Sequence, residues 1–143
     1  MTEIKKQVVL SSGITTGLLF ACLFLFLLVQ QTPVLAMTAT VASDITTDTT
    51  WTAAGSPYIL NGKVTVAAGV TLTVDPDVIV NGANGSQLEI AGRLAAIGTE
   101  TKPITFTSAT NSGDTWWGGL HFDSGSSGQL EHVTVRYGTY YNG

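Results

Sequence analysis

Cysteine is nearly absent: Cys22 is the one thiol in 143 residues. A single thiol closes no internal disulfide and builds no thiolate metal cluster, so neither holds the fold together. Charge is sparse as well, with only 11% Asp, Glu, Lys and Arg, and 6 basic against 10 acidic residues. From Met37 onward four cations (Lys63, Arg93, Lys102 and Arg136) face nine anions, a net charge of −5. A phosphate backbone repels such a chain, which argues against nucleic acid as a partner. No window after Met37 shows a sustained apolar stripe at helical spacing with caps. The expected class is therefore all-β.

One long apolar run exists, and it lies near the start. Lys5 and Lys6 form a basic head, and Leu18 to Val29 reads LLFACLFLFLLV. Val34-Leu35-Ala36 follows, with compact residues at the −3 and −1 positions of a signal-peptidase site. Basic head, apolar middle and small-residue site are the order of a secretory signal. Residues 1–36 are read as a helical signal peptide, which predicts a secreted or cell-surface, extracytoplasmic protein of bacterial type. The membrane would then be met only through the export signal. The alternative is an uncleaved anchor, but Ile14 to Val29 supplies sixteen residues where a span needs about 20. Cys22 is read as a buried apolar residue of the signal. A lipoprotein cleavage before it would expose Leu23 to Val29.

Beyond the signal, residues 37–57 are rich in Thr and Ala and are read as an extended capping segment leading into the fold. From Tyr58 short runs alternate apolar and polar residues, the period of a strand. They include Val64-Thr65-Val66, Leu72-Thr73-Val74, Val78-Ile79-Val80, Leu88-Glu89-Ile90, Leu94-Ala95-Ala96, Ile104-Thr105-Phe106, Leu120-His121-Phe122 and Val133-Thr134-Val135. Turn residues separate them, among them Asp75-Pro76-Asp77, Asn81-Gly82, Asn84-Gly85 and Ser124-Gly125. Hairpin folds favour strands of about five or six residues. Runs of three suit a solenoid, in which each strand is one side of a coil and pairs in parallel with the coils above and below.

Spacing proposes the register. Val64 to Leu88 is 24 residues, Leu72 to Leu94 is 22, and Val78 to Ile104 is 26. The next coil is longer: Leu88 to Leu120 is 32 and Ile104 to Val133 is 29. The polar stretch Ala109 to Thr115 is expected to loop out there. Leu72, Leu88, Ile104 and Leu120 also recur every sixteen residues. That period is too tight for a three-sided coil and is read as neighbouring faces. In each run the first and third residues point inward and the middle one outward. Val64, Leu88 and Leu120 then share one apolar column, and Val78, Ile104 and Val133 another.

Residues 58–138 resemble the right-handed parallel β-helix proteins of the pectin-lyase-like superfamily, especially large secreted bacterial surface proteins. The resemblance rests on the order and spacing of Gly62-Lys63-Val64-Thr65-Val66, Gly69-Val70-Thr71-Leu72-Thr73-Val74, Leu88 to Thr99, Lys102 to Ser108, Trp116 to Phe122 and Leu130 to Gly138. It implies a right-handed parallel β-helix over 58–143. It also implies further coils and a closing cap, so the chain is expected to be an N-terminal fragment, incomplete at its C-terminal end and prone to self-association through the open coil. Such proteins usually carry Pro-Gly after the strand where this chain has Pro76-Asp77, which leaves the type of that turn open.

Relatives of this fold include polysaccharide lyases and glycosidases. Lyase chemistry needs a base and a cation or charge clamp, calcium needs several converging carboxylates, and hydrolysis needs two carboxyls facing one groove. The acids here are scattered over turns and strand middles, so no catalytic set, no metal site and no cofactor is expected. The register places Glu89 beneath His121, the nearest thing to an acid–base pair in the chain; the plainer reading is a surface cross-strand pair. Trp116 and Trp117 precede Gly118-Gly119; an exposed Trp stacks on a sugar face, while Trp117 is read as packing. Trp116, Glu89 and His121 are thus the candidate glycan contacts. The function expected is that of a non-enzymatic surface or secreted scaffold that adheres to carbohydrate or other cell-surface components. A β-helix lyase or glycosidase, whole or degenerate, is the alternative. A membrane-anchored segment is the third.

Overall fold

The computed structural model describes residues 38–138. The expected signal segment, its Cys22 and the last five residues lie outside this range. Among the described residues no helix is long and apolar enough to cross a membrane. Twelve short strands follow one another: β1 Ala39–Val41, β2 Thr49–Trp51, β3 Tyr58–Leu60, β4 Lys63–Val66, β5 Thr71–Val74, β6 Ile79–Gly82, β7 Gln87–Ile90, β8 Arg93–Ile97, β9 Ile104–Ser108, β10 Leu120–Phe122, β11 Ser127–Glu131 and β12 Val133–Val135. They form three parallel sheets, ordered β1-β3-β6-β9-β12, β4-β7-β10 and β2-β5-β8-β11. The chain visits the three sheets in rotation, so it winds as a parallel β-helix.

The register follows the apolar spacing. Val64 pairs with Leu88, Leu72 with Leu94, Leu88 with Leu120 and Ile104 with Val133. In β4, β5 and β7 the second and fourth residues are buried and the third is partly exposed. This is the period-2 pleat acting on runs of alternating polarity. The sixteen-residue period joins different sheets, since Leu72, Leu88 and Ile104 lie on β5, β7 and β9. Only its double, Leu88 to Leu120, is a stacking step.

The stretch 37–57 holds more than a capping segment. β1 pairs with β3, Ile45 bridges to Val66, and β2 pairs with β5, so a coil is already complete below Tyr58. Its side chains supply part of the pairing that a longer strand would give. Asp44 Oδ1 accepts the Thr65 N–H at 2.8 Å, Asp48 Oδ1 accepts the Thr71 N–H at 2.8 Å, and Ser56 Oγ accepts the Ile79 N–H at 2.9 Å. These bonds satisfy strand donors on the lower edge. Trp51 and Tyr58 close the base of the core, their rings stacked 4.8 Å apart.

The core is one continuous column of Val, Leu, Ile and Phe, with Leu60, Val64, Leu72, Val80, Leu88, Leu94, Ile104 and Phe106 all sealed from solvent. Each such side chain stabilises the fold by about 1.5–3 kcal/mol relative to exposure. The polar stretch after β9 loops out as its composition predicts, and returns with Trp117. That indole is fully buried, and its Nε1 donates to the Arg136 carbonyl at 3.0 Å. Gly82 makes the room: a Cβ there would stand 2.6 Å from the Trp117 side chain. At the Pro76-Asp77 turn, Asp77 takes φ 70°, the left-handed conformation that glycine adopts most readily. The turn keeps its shape, and Asp bears the strain.

Candidate functional site

The outward face of the second sheet carries the polar side chains expected to matter. Strand pleating puts Thr65, Glu89 and His121 in one outward row, because Thr65 pairs with Glu89 and Glu89 with His121. β7 lies between β4 and β10, so the row stands on backbone held from both sides.

Glu89 is a largely enclosed charge. Its side chain is 16% exposed, and Oε2 receives the Lys63 ammonium at 2.5 Å and the Thr65 hydroxyl at 3.2 Å. The hydrogen bond from Lys63 holds the Glu89 carboxyl below its ordinary pKa, and the charges of Lys63 and His121 and the Thr65 hydroxyl act the same way. Lys63 is raised in turn, chiefly by its bond to Glu89. The pair is therefore ionised at neutral pH.

His121 Nε2 lies 3.6 Å from Asp123 Oδ1. Asp123 follows His121 by two residues and so falls on the same face; its N–H donates to the Ile90 carbonyl at 2.9 Å. One ligand atom each from Glu89, His121 and Asp123 lie within 4.8 Å of one another. The expectation of scattered acids does not hold at this point, because coiling gathers residues that are 32 and 34 positions apart.

Trp116 stands outside this sheet, in the loop that leads to β10. It is 54% exposed, and its carbonyl accepts the Gly85 N–H just before β7 begins. Gly85 belongs to the turn before β7, and Glu89 is the third residue of that strand. The structure thus brings Glu89 and His121 together as ladder partners and sets Trp116 at the head of the strands that carry them.

Sequence reasoning missed Lys63, Thr65 and Asp123. The 24-residue offset that pairs Lys63 with Gln87 leaves Glu89 one diagonal step away, within reach of a lysine. A shallow polar depression lies at a different edge, along the corner between the second and third sheets, beside Gly69, Gly92, Arg93 and Gly125. It shares no residue with the row.

No protein of curated function and no solved structure matches the chain. A family model, the pectate-lyase like beta helix domain, matches residues 43–140, more than half of the chain. Its match begins below Tyr58, in agreement with the early first coil. Three parallel sheets visited in rotation and this match lead to one assignment: the chain belongs to the pectate-lyase-like β-helix family.

Proposed function

We propose that this protein is a non-enzymatic, extracytoplasmic β-helix scaffold that binds carbohydrate along the outward face of its second sheet. The observation that carries the reading is an exposed indole, Trp116, held at the turn that leads into the second sheet, whose outward face carries the polar row of Thr65, Glu89 and His121. An indole stacks on the apolar face of a sugar ring, and charged or hydroxyl groups farther along bond its hydroxyls. Export rests on the basic head, apolar run and small-residue site of residues 1–36.

The state of Glu89 favours binding over catalysis. A general acid must hold its proton near working pH, and the Lys63 ammonium does the opposite to this carboxyl. A general base works best with a pKa near the working pH, and the lowered Glu89 carboxyl is a weak one.

The test is binding of the full chain to a panel of neutral and acidic polysaccharides, compared with Trp116→Ala. Loss of the indole is expected to weaken binding about tenfold, about 1.4 kcal/mol. Turnover of any polysaccharide to unsaturated or reducing products, abolished in Glu89→Gln, would overturn the reading.

A further inference from the structure

We propose that Glu89, His121 and Asp123 form a site for a divalent transition metal of the zinc class. The inference stands on the geometry of the row and does not depend on carbohydrate binding.

Three observations carry it. First, the ligand atoms are close, all within 4.8 Å of one another, with His121 Nε2 and Asp123 Oδ1 at 3.6 Å. Ligands at about 2.0–2.2 Å from a tetrahedral ion lie about 3.4 Å apart. The His–Asp pair is already near that spacing, and a Glu89 carboxylate oxygen stands within 4.8 Å of both.

Second, the backbone under each ligand is fixed. Glu89 and His121 are direct partners in a parallel ladder, and Asp123 is tied to Ile90 by its N–H. Asp123 also accepts at its carbonyl from the Ser126 hydroxyl at 2.8 Å and the Ser126 N–H at 3.1 Å, which closes the turn behind it. Little backbone order must be gained on binding.

Third, Glu89 has the outer support that ligating carboxylates carry. Thr65 Oγ1 donates to Oε2 and leaves Oε1 open, while Lys63 Nζ also binds Oε2, as a charge that competes with a metal rather than as support.

The donor set selects the ion class. One imidazole and two carboxylates, with room for water on the exposed side, are nitrogen and oxygen donors of the kinds zinc takes. Calcium takes six to eight oxygens and gains nothing from an imidazole. The neighbouring Lys63 ammonium repels a dication, so its removal should tighten the site.

The experiment is titration calorimetry of the untagged full chain with zinc chloride, with calcium chloride as comparison. One zinc is expected per chain, and calcium is expected to bind far more weakly. His121→Ala and Asp123→Asn should each weaken zinc by at least about tenfold, the size that loss of an outer-shell partner already causes in metal sites. Lys63→Gln should tighten it several-fold, a gain that damage to the fold would not produce. Circular dichroism identifies any variant that fails to fold, and the remaining variant then decides. Absence of zinc uptake by the wild type, or uptake unchanged in both His121→Ala and Asp123→Asn, overturns the assignment.

Discussion

Phe106 and Val135 occupy one column of the first sheet, a single coil apart, yet Phe106 is sealed from solvent and Val135 is 47% exposed. The third sheet repeats the contrast with Ala96, fully buried, beneath Leu130, 44% exposed. The second does so with Ile90, fully buried, beneath Phe122, 38% exposed. The residues differ little in polarity and share the same inward phase of the pleat. What differs is the number of neighbours along the column. β10, β11 and β12 are each paired on one side among the described residues, whereas β7, β8 and β9 are paired on both. In a stacked coil an apolar side chain is enclosed by the coils on either side of it, not by its own. The stability contributed by one residue should therefore follow its position in the column more closely than its type.

The largest effect expected from this contrast is a matched pair of truncations. Phe106→Ala removes a ring from the closed part of the column and should destabilise the fold by about 3–5 kcal/mol. Val135→Ala, its partner one coil up, should stay within about 0.5–1 kcal/mol. Urea denaturation of the two variants beside the wild type measures both. Equal losses would mean that enclosure does not depend on the neighbouring coil.

A smaller effect separates two glycines. Gly92 sits where the second sheet turns into the third; a Cβ there would stand 2.3 Å from the carbonyl oxygens of both Ala67 and Val70. Backbone cannot yield as a side-chain tip does, so Gly92→Ala should destabilise by about 1–3 kcal/mol. Gly113 lies in the polar loop beneath the upper coil, and nothing stands within 4 Å of a Cβ built there. Gly113→Ala should be neutral or stabilising by up to about 1 kcal/mol, because it narrows the unfolded ensemble. The same denaturation curves decide between these outcomes.

The closed part of the stack was also the part easiest to read in the sequence. Leu, Val and Ile recur there at 22 to 26 residues with little polar interruption, and every proposed step is a ladder pair or lies in line with one. Thr105, for instance, donates its N–H to the Val78 carbonyl at 3.0 Å, in line with the step from Val78 to Ile104. The first coil was harder to see. It contributes only Ile45 and Trp51 as large buried groups before Tyr58, and polar side chains such as Asp44 and Asp48 take up ladder donors in its place. Hydrophobic period cannot register a bond made by a carboxylate.

The site divides along the same line. Glu89 beside His121 follows from register alone. Lys63 reaches Glu89 diagonally, and Asp123 sits at the last step before a turn, so both depend on side-chain reach and local bending. Asp77 shows the limit of residue preference: the turn keeps the left-handed geometry of a glycine although the residue is not one.

The smallest effect tests whether the contrast belongs to inward side chains alone. Glu89 lies in the closed part of the stack but points outward, and its partner Lys63 is 59% exposed. If enclosure governs stability, losing this ion pair should shift the denaturation midpoint only slightly, as water and salt screen exposed pairs. The sign with pH is fixed by the direction of the shift. The Glu89 carboxyl is lowered by its hydrogen bond to Lys63, so the folded state favours the charged form. Its contribution is present above the ordinary glutamate range and is lost as pH falls through the lowered value. Glu89→Gln should therefore lower the midpoint slightly at about pH 7, and the difference should shrink as the pH falls to about 3. High salt at neutral pH should shrink it as well. A loss as large as that of Phe106→Ala would show that the outward row carries the stack as much as the column behind it does.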